Sequence, residues 1–139
     1  MPVDPSLSGR TFPPTAAHDV SEARVAAFAA ATGTPYQAGG PAPATYPIVV
    51  AFAAMHDLMV DPDVGIELQH VVHGDQRFTH VRPVLAGDRL SAELTVESLR
   101  QIGGADIIAT SSAITGADGA LVCTARATLV HKPGPGAGA

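Results

Sequence analysis

The sequence predicts an α+β domain in which one curved antiparallel sheet wraps a single apolar helix. Three observations lead there. Residues 48–55 are apolar on every side, as in a helix buried within a domain. The second half of the chain alternates apolar and polar residues with a period of two, as half-buried strands do. Helical patterns come first and strand patterns after, so the two kinds of element segregate instead of interleaving. Pattern alone leaves other α+β arrangements open.

Residues 1–14 carry prolines and no helical period. A first helix is expected from Asp19, with Glu22 three residues on completing a capping box. Val25, Phe28, Ala29 and Thr32 share its inner face, and Gly33 is placed to end it. Glycines and prolines crowd residues 34–44, which read as loop. In the second helix Thr45 is the candidate cap. Pro47 suits the first turn, where its missing N–H costs nothing. Asp61, Pro62, Asp63 and Gly65 terminate it. Residues 71–81 are β-rich, and Pro83 with Ala86-Gly87-Asp88 makes a turn. From Arg89 the alternation places Leu90, Ala92, Leu94 and Val96 on one face, and Leu99 breaks the phase, predicting a bulge or bend. Gly103-Gly104 predicts a tight hairpin, residues 106–115 a strand, and Asp118-Gly119 the next turn. Leu121, Cys123, Ala125, Ala127 and Leu129 then alternate with polar or outward residues. These three strands form a meander. Residues 1–131 are assigned to one domain and the Pro/Gly/Ala-rich 132–139 to a disordered tail.

The 139 residues suit one domain. A hydrophobic fraction of 46% with 15% charge excludes a wholly disordered chain. With 8 Lys+Arg against 13 Asp+Glu, a phosphate-neutralising patch is hard to build, so no nucleic-acid partner is expected. The single Cys123 excludes an internal disulfide and a multi-cysteine zinc site, and its strand pattern suits a small buried filler. No secretory signal is expected. The longest apolar stretch, residues 47–59, carries His56 and Asp57 and is too short to cross a bilayer. A cytoplasmic location with no membrane partner is the expectation.

The stretch His73-Gly74-Asp75-Gln76-Arg77-Phe78-Thr79-His80-Val81-Arg82-Pro83-Val84-Leu85-Ala86-Gly87-Asp88 resembles the HGEQxFxYHRPLxAGD segment of MaoC-like dehydratases. Their fold, a sheet curled around a central helix, is called the hot-dog fold. The sequence is most similar to the N-terminal dehydratase-like branch, which includes the non-catalytic HadA and HadC subunits of mycobacterial (3R)-hydroxyacyl-ACP dehydratase. Residues 20–29 resemble the family's first helix, Ala42-Pro43-Ala44-Thr45-Tyr46-Pro47 its APPTFP lead into the central helix, and Asp118-Gly119 its last turn. The likeness runs from Gly9 to His131, and Arg82-Pro83 with Ala86-Gly87-Asp88 is its more specific part.

The resemblance implies a single hot-dog domain that binds an acyl thioester of acyl carrier protein or coenzyme A. The family reaction removes water from a (3R)-3-hydroxyacyl group to leave a trans-2-enoyl thioester. The carbonyl acidifies the C2 proton, so one base, one acid path and an oxyanion donor suffice, and no cofactor is expected. Active members take an Asp and a His from a GDxNPxHxD motif just before the central helix. Here no Asp, Glu or His stands between Thr32 and Thr45. Tyr36 is the nearest counterpart, and a neutral tyrosine with a pKa near ~10 is a poor base. The departure implies a substrate-binding, non-catalytic subunit in fatty-acid or related acyl metabolism. It would work as a homodimer or as a heterodimer with a catalytic MaoC-type chain. Tyr36, Tyr46, Ile48, Phe52, His73, Gln76 and Arg77 are its candidate substrate contacts.

Two alternatives stand beside this. His73 and Asp75, at i and i+2 of a strand, would share a face and could form a substitute acid–base pair in an autonomous homodimeric enzyme. A structural pair is the plainer reading of the same residues. The chain could also be an acyl-thioester binding module without catalysis. A thioesterase is disfavoured because Thr45-Tyr46-Pro47-Ile48 offers no acid at the start of the central helix. His70, His73 and His80 match no zinc spacing, so no metal is expected. His56-Asp57, near the helix end, suits free carbonyls better than a dyad. Arg77, Arg82, Arg89 and Arg100 fit a phosphate contact or ordinary pairing with Glu93, Glu97 or Asp88, with Arg82 leaning structural.

Overall fold

A computed structural model describes Val3 and residues 5–133. The strands are β1 (His18–Asp19), β2 (Val71–His80), β3 (Arg89–Ile102), β4 (Ala105–Thr115) and β5 (Leu121–His131), and the helices α1 (Glu22–Thr32) and α2 (Ile48–Val60). The strands form one curled antiparallel sheet in the order β1-β3-β4-β5-β2, with α2 against β3 and β4. Apart from the short β1 ahead of α1, the order of elements and the sheet around a central helix are as the sequence predicts.

Period-two alternation is what drives the sheet onto the helix. Leu90, Ala92, Leu94 and Val96 are each no more than 1% exposed and join Val50, Ala51, Ala54, Met55 and Leu58 in one core. That packing, more than helix propensity, holds α2 in place. The other half of α2 is open: Val49, Phe52, Ala53, His56, Asp57 and Val60 are exposed. A helix apolar all round therefore has one apolar side bare, because the single sheet covers only the other.

Two of the predicted signals, both helix caps, are corrected. The cap of α1 is Ser21, whose Oγ accepts from the Arg24 N–H at 3.1 Å. Asp19 instead lies in β1 and pairs with Arg89 at 3.0 Å. Thr45 does not cap α2 with its side chain; its carbonyl accepts from the Ile48 N–H, and Pro47 precedes the helix in a helical conformation. The bulge expected from the phase of Leu99 is present: the extra residue is Glu97, between Val96 and Ser98. Gly33 ends α1 at φ 67° as expected, a left-handed conformation that suits glycine.

A second extra residue sits in β5. Ile114 pairs with Cys123 and Thr115 with Leu121, so Val122 bulges; it is buried while Leu121 is exposed. Before β1 the chain runs along the outer side of β3. The N–H groups of Gly9, Phe12 and Thr15 donate to the carbonyls of Val96, Leu94 and Ala92 at 2.8–2.9 Å. Val3, Leu7 and Phe12 are buried beneath. Lys132 and Pro133 follow β5 as coil, and the rest of the expected tail lies outside the described residues.

Candidate functional site

The site is built on β2, the last strand of the sheet, and on the bare side of α2. Gly74 is an extra residue in β2: His73 pairs with Leu129 and Asp75 with Thr128. Directly paired residues share a face of the sheet. His73, Gln76, Phe78 and His80, opposite Leu129, Ala127, Ala125 and Cys123, therefore face the helix side. Asp75, Arg77 and Thr79, opposite Thr128, Arg126 and Thr124, face the outer side. The bulge inverts the alternation between His73 and Asp75, so the expected same-face pair is not formed. His73 Nε2 donates to Gln76 Oε1 at 3.0 Å, while Asp75 lies 3.7 Å from Arg77.

Two clefts open on the helix side. The larger, about 390 Å³, lies where the chain leads into α2, between Pro41, Ala42 and Ala44 and the segment from His80 to Val84. The smaller, about 170 Å³, is apolar and lies between α2 and β2; Phe52, Met55, Met59 and Leu129 form most of its wall, with His73 beside them. Among the described residues, no aspartate or glutamate lines either cleft.

The other predicted site residues divide. Phe52 and His73 meet at the smaller cleft, and Gln76 is held by His73. Ile48 is half-buried at the start of α2. Tyr46 is 1% exposed and lines neither cleft. It hydrogen-bonds to His18 Nε2 at 2.8 Å and meets Phe28 edge-on at 5.3 Å. An aromatic of that size, followed by an apolar helix, serves the core. Tyr36 also lines neither cleft. Its hydroxyl donates to Glu22, whose other oxygen accepts from the Gly39 N–H at 3.0 Å. That bond, first, raises the Tyr36 pKa above 10, since the carboxylate favours the protonated phenol. Glu22 thus fastens the 34–44 loop to α1 in place of completing a capping box. Arg77 points away from both clefts.

Of the four arginines considered, Arg77, Arg82 and Arg89 pair with Asp75, Asp88 and Asp19. Arg82 makes a two-pronged bond to Asp88 at 2.8 and 3.2 Å and donates to the Pro83 carbonyl. Arg10 pairs with Asp61 at 3.1 Å. Of these, only the Arg82–Asp88 pairing is legible in the sequence. The three histidines considered as a metal set do not converge: His70 pairs with Glu67, His73 with Gln76, and His80 with the Ala44 carbonyl.

Besides the part-exposed Glu67–His70 contact, the described residues hold a buried acid–imidazole pair, and sequence reasoning misses both. His131 and Asp106 are 0% and 2% exposed and 2.9 Å apart. His131 Nε2 accepts from the Glu67 N–H, so Nδ1 carries the proton given to Asp106. Asp106 also accepts from Gln101 and from the Val3 N–H. With both ring nitrogens and both carboxylate oxygens occupied in the interior, this pair reaches no substrate. The only cue is a polar residue near the start of β4 facing one at the last position of β5.

Known proteins agree with this architecture. A sequence profile described as "FAS1-like, dehydratase domain region" matches residues 6–125. A UPF0336 protein of Leifsonia xyli is 40% identical over 95% of this chain and 97% of its own length. The crystal structure of the C-terminally truncated HadBC (3R-hydroxyacyl-ACP dehydratase) complex of Mycobacterium tuberculosis aligns at a TM-score of 0.73 and 30% identity. The alignment covers 89% of this chain and 96% of that one. HtdX of the same organism aligns at 0.76 and 24% identity over 88% of this chain and 51% of its own, a likeness of fold. With profile, relatives and fold in agreement, the chain belongs to the FAS1-like dehydratase domain family, within the MaoC-like hot-dog hydratases and dehydratases.

Proposed function

We propose that the chain is the substrate-binding, non-catalytic subunit of a (3R)-3-hydroxyacyl-thioester dehydratase of cytoplasmic fatty-acid or related acyl metabolism. One observation carries the reading: the two clefts beside α2 offer apolar walls and imidazoles but no carboxylate. Dehydration must take a proton from C2 and give one to the leaving hydroxyl, two tasks at two positions. The family's acid–base motif is missing before α2, and the bulge at Gly74 separates His73 from Asp75. The smaller cleft suits the end of an acyl chain, and the larger the thioester end. The partner is a hot-dog chain bearing the Asp/His pair, joined at β2, whose outer edge has no neighbour in the described sheet. The name of the HadBC complex, at 30% identity, supports a dehydratase made of such chains.

The test is hydration of crotonyl-CoA. The chain alone is expected to show none, and co-expression with a MaoC-type chain carrying the Asp/His motif is expected to yield activity. Full turnover by the purified chain alone would overturn the proposal and return the autonomous reading.

A further inference from the structure

Among the described residues, the larger cleft has one side chain with an acceptor to spare. Its walls are Pro41, Ala42, Ala44, Val81, Pro83 and Val84, with His80 and Arg82 as the polar members. Arg82 is held by Asp88 and by the Pro83 carbonyl, which take three of its five N–H groups, and it offers no acceptor. His80 donates through Nε2 to the Ala44 carbonyl at 2.8 Å. A carbonyl only accepts, so that nitrogen carries the hydrogen, and in the neutral ring Nδ1 is an acceptor. Nδ1 makes no hydrogen bond among the described residues, and the side chain is exposed. An apolar cleft with one oriented polar atom is the usual form of a small-molecule site. The bond to Ala44 fixes the ring against the segment that leads into α2, so the acceptor is held and not free to swing.

We propose that His80 Nδ1 is the polar anchor of the larger cleft and accepts a hydrogen bond from a neutral O–H or N–H group of the bound ligand. The identity of that ligand rests on the acyl-thioester reading above, in which the donor is the 3-hydroxyl or a pantetheine amide. His80 here binds and orients; no proton transfer is asked of it.

The test uses the full chain with ¹⁵N-labelled histidine, titrated with 3-hydroxybutyryl-CoA and with crotonyl-CoA, which lacks the hydroxyl. The His80 Nδ1 resonance is expected to shift on binding 3-hydroxybutyryl-CoA while Nε2 stays. His80→Phe is expected to weaken that binding about tenfold, the effect of one hydrogen bond. His80→Gln keeps one donor and one acceptor and is expected to restore most of it. If crotonyl-CoA binding ignores His80→Phe, the donor is the hydroxyl; if it weakens equally, the donor is the amide. Binding that leaves the His80 resonances unmoved, or that His80→Phe does not change, overturns the anchor and leaves the function standing. No binding of either thioester to the wild-type chain removes the acyl-thioester reading and the anchor together.

Discussion

Asp88 fastens the turn between β2 and β3 from both of its oxygens. Burial pushes its carboxyl up, but the bonds from Arg82 and from the Leu85 N–H, with the Arg82 charge, outweigh burial and hold its pKa below 3.8. His18 is displaced downward from 6.5, first by burial and then by Arg24. Both groups bind their protons more weakly folded than unfolded, so both stabilise the fold at high pH. The His18 share is full above pH 6.5 and is lost as pH falls below it; the Asp88 share is full above 3.8 and is lost below that. The thermal midpoint is expected to fall in both windows on acidification. His18→Gln should flatten the upper window and Asp88→Asn the lower, read by calorimetry at stepped pH. The Asp88 clamp is legible in the sequence because arginine, proline, glycine and the acid lie within seven residues. The His18–Tyr46 bond spans 28 residues and leaves no local pattern.

Among elements, the buried Asp106–His131 pair ties four segments together. It joins the start of β4 to the end of β5 and receives the backbone at Val3 and the segment before β2 at Glu67. Removing one partner strands the other without water. Asp106→Ala is expected to cost about 3 kcal/mol in urea unfolding, while leaving any thioester binding in the folded fraction intact. A loss under 1 kcal/mol would show that the clasp contributes little. The same scale explains what the sequence hides. Which strands exist and which faces they bury come from alternation within one segment, and β3 reads correctly through Val96. A bulge depends on the partner's register as well. The extra residues Gly74, Glu97 and Val122 each turn the remainder of their strand to the other side. Simple alternation therefore misplaces Leu121 and puts His73 and Asp75 on one face. The anchoring of His80 leaves no local pattern either, because its partner, Ala44, is a backbone oxygen 36 residues away.

For the whole molecule, the two sides of the sheet are finished differently. Among the described residues β2 ends it with no neighbour, and Val72 and Val81, at its two ends, are 64% and 65% exposed. Association through β2 predicts that Val72→Lys with Val81→Lys shifts sedimentation toward the single chain while circular dichroism is unchanged. An undiminished complex would move the contact elsewhere. On the opposite side β1 and residues 9–15 already occupy β3, through the Gly9, Phe12 and Thr15 hydrogen bonds and the Thr11–Thr95 bridge. A ribbon with one blocked margin and one free margin can join a single neighbour and then has nothing left to offer. On the proposed contact at β2, the irregular leading segment would act as a stop against fibre growth, limiting the assembly to two chains.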